Sequence, residues 1–130
     1  MEWVEIFAVF VVSHLVGDYL LQTEWQATNK WAGLSAKPGA SRALFSHIAG
    51  YTFSFVPAFL WLADDLGAGV LAVAALIAIP HLVQDDGRLL VGYITSVKKV
   101  RVGPGDRLFA AVDQSFHLLA LFGVALVAGG

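Results

Sequence analysis

The chain has 130 residues, 58% hydrophobic and only 14% charged, with a mean hydropathy of +0.72. A soluble domain carries about a quarter charged residues, so this chain lacks the polar surface to coat a water-soluble globule and is expected in a membrane. Ten Asp and Glu against eight Lys and Arg give a net charge of -2, which excludes intrinsic disorder and leaves no basic field for nucleic acid. The absence of cysteine removes disulfides, thiolate ligands and a Cys nucleophile.

Four apolar stretches reach the roughly 20 residues that a membrane helix needs, over about residues 3–21, 42–63, 67–90 and 108–128. The first carries Glu2 and Glu5 where a signal peptide would be basic, and no small-residue cleavage site follows, so it is expected to stay in the fold. The connection at about 22–41 contains Trp25 and Trp31, residues that favour headgroup depth, and the turn signal Pro38-Gly39. The next, with Asp64, Asp65 and Gly67, is so short that the second and third helices should form an antiparallel hairpin. The last holds Lys98, Lys99 and Arg101, then Gly103-Pro104-Gly105. The expected architecture is a single-domain, all-α, four-helix integral membrane bundle with short connections.

Orientation follows from the basic residues. Lys30, Lys37 and Arg42 belong to the first connection, and Arg88, Lys98, Lys99, Arg101 and Arg107 flank or lie in the third. By the positive-inside rule these two connections face the cytoplasm and both termini face out.

All four histidines and several aspartates fall inside the apolar stretches. His14/Asp18, His81/Asp85 and Asp113/His117 are i,i+4 pairs, which a helix places one turn apart on one face, and His47 adds an imidazole from the remaining helix. In an up-down bundle all of them reach the same depth, in the cytoplasmic half. An intramembrane Asp costs about 2.5–3.5 kcal/mol on insertion scales, and such residues normally face the bundle interior and carry function. Imidazole and carboxylate together suit Zn, Mn, Fe or Ni. The expected metal ligands are His14, Asp18, His47, His81, Asp85, Asp113 and His117, enough for two divalent ions or for one ion with carboxylates orienting the imidazoles. Gln22 continues the His14/Asp18 face and Gln114 adjoins Asp113; with Lys30 they are candidates to orient a ligand or contact substrate, although polar helix ends and topology also account for them. Asp86 points about 100° away from Asp85 and is the weaker ligand.

The run HLVGDYLLQTEW from His14 to Trp25, then Asn29-Lys30, His47, HLVQD from His81 and DQSFH from Asp113 resembles the small bacterial membrane proteins grouped as domain of unknown function 3307, over nearly the whole chain. The resemblance implies a bacterial cytoplasmic-membrane protein and carries no established activity. A fainter similarity, in style, links it to inner-membrane metal-dependent hydrolases. Asp86-Gly87-Arg88 departs from the aromatic and basic residues expected after Asp85, which argues against a substrate contact for Arg88.

Together these features lead to a membrane-embedded metal-binding protein, with hydrolysis of a lipid-linked or membrane-proximal ester or phosphoester as the leading reading and one of Asp18, Asp85 and Asp113 as general base. Two alternatives stand beside it: a divalent-metal or proton transporter or channel, and a non-catalytic subunit whose polar core fixes helix register. The expected partners are the lipid bilayer and a second copy or another membrane protein, and no nucleic acid.

Overall fold

A computed structural model describes residues 1–35 and 37–130. It is all-α. In chain order the α-helices are α1 (Trp3–Leu15), α2 (Glu24–Asn29), α3 (Pro38–Ser54), α4 (Val56–Leu66), α5 (Val70–Asp86), α6 (Arg88–Val97) and α7 (Arg107–Ala128). Among the described residues, three helical runs are long and apolar enough to cross a membrane: Trp3–Leu21, Val56–Asp86 and Arg107–Ala128.

The first run starts at Glu2, whose N–H donates to the Glu5 carboxylate (3.1 Å) while its carbonyl accepts from the Glu5 N–H (3.0 Å). Past Leu15 it widens into a π-helical segment, Val16–Leu21. Such segments are rare and frequently mark functional sites; this one carries Asp18. Gly17 lets it approach α3 closely, because a Cβ there would lie 2.6 Å from Tyr51 Cδ2 and 2.8 Å from Ser54 Oγ.

The expected helix at 42–63 is divided. α3 begins four residues earlier, with Pro38 in its first turn, and ends at Ser54; Phe55 and Pro57 then start α4. Pro57 has no N–H to give a preceding carbonyl, so the ladder cannot run through unbroken. The 31-residue run Val56–Asp86 is likewise two helices. Gly67 has φ +53 and ψ −129, outside helical space, and α4 and α5 pack against each other across the turn. The expected third helix, 67–90, stops at Asp86, where Gly87 takes a left-handed cap with φ +82. α6 follows as a separate short helix that buries Leu90 and Ile94 and exposes Leu89 and Val97.

α1 packs on α7, α3 on α5, and α5 on α7. Between them lies an apolar core that includes Ile6, Phe10, Phe55, Leu62, Val73 and Leu121. At that end of the molecule the Met1 amino group is 3.5 Å from Asp65, and Gly129 sits against the Trp3 backbone. At the opposite end the Ala32 N–H donates to the Asp86 carbonyl (2.9 Å), and Trp31 packs on Gly87 and Phe109. The exterior is apolar: Phe53, Leu60, Leu71 and Val127 are each at least 70% exposed.

Candidate metal centre

The polar residues meet between the apolar core and the end that carries Trp31. α5 contributes His81 and Asp85 from one face, α3 contributes His47, and the π-helical segment contributes Asp18; all four are buried. Pro80 stands immediately before His81 and removes the backbone bond to the Leu76 carbonyl.

Four potential ligand atoms converge. His47 Nε2 and His81 Nε2 are 3.1 Å apart. Asp85 Oδ2 lies 2.7 Å from the first and 3.0 Å from the second, and Asp18 Oδ1 lies 3.2 and 3.3 Å from them. A tetrahedral ion bound at about 2.0–2.1 Å sets its ligand atoms about 3.3 Å apart, so this spacing is close to that of a coordination shell. Hydrogen bonding alone serves it poorly. Two nitrogens that face each other cannot both donate to the carboxylates without their protons colliding, and Asp18 Oδ1 and His81 Nδ1 are buried with no hydrogen-bond partner among the described residues. These four residues fit a metal ion.

A second group shares one member with the first: Asp85, Asp113 and His117 also bring ligand atoms within 4.8 Å of one another. His117 Nδ1 donates to the Asp113 carbonyl at 2.6 Å, which leaves the Nε2 lone pair of the neutral ring pointing at Asp85 Oδ1, 3.1 Å away. A backbone bond at one nitrogen that fixes the other for coordination is the usual arrangement of a ligating histidine.

His14 has a different place. Its Nε2 donates to Gln114 Oε1 (2.7 Å), the Tyr51 hydroxyl donates to its Nδ1 (2.9 Å), and Gln114 Nε2 donates to Asp18 Oδ2 (3.2 Å). Both ring nitrogens are engaged, and the nearest Asp18 oxygen is 3.7 Å away. His14 thus sits beside the ligand groups and, through Gln114, holds the Asp18 carboxylate. Gln22 and Lys30 form the mouth: Lys30 Nζ donates to Gln22 Oε1 at 2.7 Å and to Asp85 Oδ2 at 3.0 Å. Asp86 stands apart as an anchor, accepting from the Leu34 N–H (2.9 Å) and from Arg88 Nε and Nη2 (2.8 and 3.1 Å). This pairing turns Arg88 away from the centre, in accord with the sequence departure after Asp85.

Charge points the same way as geometry. With neutral imidazoles, the ionised carboxylates of Asp18, Asp85 and Asp113 outnumber the Lys30 ammonium beside them by two, an excess of negative charge that attracts cations. Buried charge this dense persists only when paired or bound to metal.

Sequence reasoning did not single out Tyr51. Its ring stacks on His81 with centroids 3.5 Å apart and planes 8° from parallel, while its hydroxyl reaches His14. Its position four residues after His47, one turn along α3, is the signal that could have found it.

An all-α protein with three membrane-length apolar runs and a buried His/Asp cluster able to hold a metal ion is the class that fold and site define. The chain belongs to the family described as protein of unknown function (DUF3307), which matches residues 6–129. No curated protein matches it, and no solved structure does.

Proposed function

We propose that the protein is a four-span integral membrane metalloprotein, with both termini outside and its His/Asp centre in the cytoplasmic half, that hydrolyses a lipid-linked or membrane-proximal phosphoester. The spans are α1 with its π-helical extension, α3 continued by α4, α5, and α7. The observation that carries the reading is the convergence of Asp18, His47, His81 and Asp85 at 2.7–3.3 Å around a common point. Support for the membrane comes from the apolar exterior, and support for the orientation from the fall of every Lys and Arg in or beside the first and third connections of the sequence.

A bound divalent ion would polarise a phosphoryl oxygen and supply hydroxide near neutral pH. The protein's own groups do the rest. His14 and Gln114 fix the Asp18 carboxylate, and Tyr51 fixes the plane of His81. Lys30 is placed to attract an anionic headgroup at the mouth, and Asp113 lines the same cavity. A phosphoester of a lipid is the favoured substrate because the mouth combines one ammonium with an apolar surround.

Detergent-purified protein should contain Zn, Mn, Fe or Ni by mass spectrometry and lose it in His47→Ala, His81→Ala and Asp18→Ala at matched folding quality. Metal-dependent release of phosphate from lipid phosphoesters should fall with it. Well-folded protein that takes up no metal would sink the reading. Metal-loaded protein with no turnover across lipid phosphates and esters would remove the hydrolase and leave the metal centre. The apolar core that fills the opposite half of the molecule weighs against a transport path through a single chain, and proteoliposomes that stay tight to metal and protons would agree with it.

A further inference from the structure

We infer that the centre holds two divalent transition-metal ions, bridged by Asp85, and that the two positions are unequal: one closed and one open. The inference rests on the metal-centre reading above and goes beyond it by assigning the second position to Asp113, His117 and the Oδ1 side of Asp85.

Asp85 presents its two oxygens to different partners. Oδ2 faces His47 and His81, and Oδ1 faces His117 at 3.1 Å. A carboxylate so placed, with an imidazole nitrogen on each side, has the arrangement of a bridging ligand. His117 is 1% exposed, and its Nδ1–H is spent on the Asp113 carbonyl at 2.6 Å. In the neutral ring, Nε2 then opposes Asp85 Oδ1 lone pair to lone pair, a contact that a cation between or beside them resolves. Asp113 completes the group from one helical turn away on the same face of α7.

The two positions differ in their surroundings. The first has four protein ligand groups, all buried, which matches a closed site. The second has three, one of them half-buried, and it adjoins a cavity of about 190 Å³ lined by Lys30, Trp31, Asp85, Phe109 and Asp113 among others. Of the second group, Asp113 and the shared Asp85 line that cavity, whereas His117, like His47, His81 and Asp18, does not. Three protein ligands beside an accessible space is the pattern of a site that keeps a position for water or substrate. The second ion is therefore the one a phosphate oxygen would reach, with Lys30 opposite.

The test is zinc stoichiometry by mass spectrometry on protein stripped, reloaded with Zn²⁺ and desalted, for wild type, His117→Ala and Asp113→Asn. The expected result is two ions per chain in wild type, one in each variant, and loss of both in Asp85→Ala. A second measurement needs no variant: Mn²⁺-loaded wild type should give the electron paramagnetic resonance signature of two exchange-coupled ions. One zinc in wild type that persists in His117→Ala, with an uncoupled Mn²⁺ spectrum, would overturn the second position and leave the metal centre standing. No metal in folded wild type would overturn both.

Discussion

Tyr51 holds two histidines at once, one by its ring and one by its hydroxyl. Stacking at 3.5 Å fixes the plane of His81, and the hydroxyl bond at 2.9 Å sets the tautomer of His14, whose other nitrogen steadies Gln114 and through it Asp18. Residues that orient ligands in this way are worth about 10–100-fold in metal affinity. Tyr51→Phe keeps the stack and deletes the hydroxyl, so zinc affinity measured against a competing chelator should fall by about that range while the number of ions bound stays the same. A drop in ion number would instead make Tyr51 part of the coordination shell. The three i,i+4 pairs were legible in the sequence because helical spacing alone puts His81 over Asp85 and Asp113 beside His117. The division of labour among them was not. That His14 is spent on Tyr51 and Gln114 while His47 faces the cluster depends on how α1 and α3 are rotated about their axes, which periodicity does not specify.

Gly87 shows what a single backbone position does for an element. Its φ of +82 ends α5 at Asp86, and the space where a Cβ would stand is taken by the Trp31 ring, 2.5 Å away. The loop before α3 is tied to the same corner by the bonds from Ala32 and Leu34 to Asp86, and this tether brings Lys30 to Asp85. Gly87→Ala adds a left-handed conformation, about 1–2 kcal/mol, to an overpacked contact of about 1–3 kcal/mol. A thermal melt in detergent should show a loss of about 2–5 kcal/mol, and an unchanged melt would contradict the packing of Trp31 here. The glycine was available as a stop signal, yet the hydrophobic run through Leu89 and Leu90 masked it, so the third helix read four residues too long at its C-terminal end. The break after Ser54 was hidden for the same reason, since Phe55 and Val56 continue the apolar pattern across it. The π-helical segment left no mark at all, because no side-chain spacing encodes an i→i+5 bond.

Across the whole molecule, Met1 and Gly129 meet at the end that carries the Asp65 turn, and the loop with Trp31 and Ala32 meets the end of α5 at the other. The native chain has no cysteine, so single replacements report sidedness without background. In intact cells a membrane-impermeant maleimide should label Asp65→Cys, whereas Lys99→Cys should react only after the membrane is opened. The reverse pattern would invert the proposed orientation and move the centre to the outer half. The uneven distribution of charge along the chain was plain from the sequence, since every Lys and Arg falls in or beside two of the three connections. The separation into an apolar half and a polar half was visible only as a coincidence of depth until the helices were packed together.

That separation governs what the buried charges can sense. Ile6, Phe10, Phe55, Leu62, Val73 and Leu121 make one half of the interior an insulator, and most of a transmembrane voltage falls across insulating material. Asp18, Asp85 and their partners lie outside that apolar cluster. In the orientation proposed above, the centre would exchange protons and metal with the cytoplasmic side alone, and the apolar half would bar a leak through the chain.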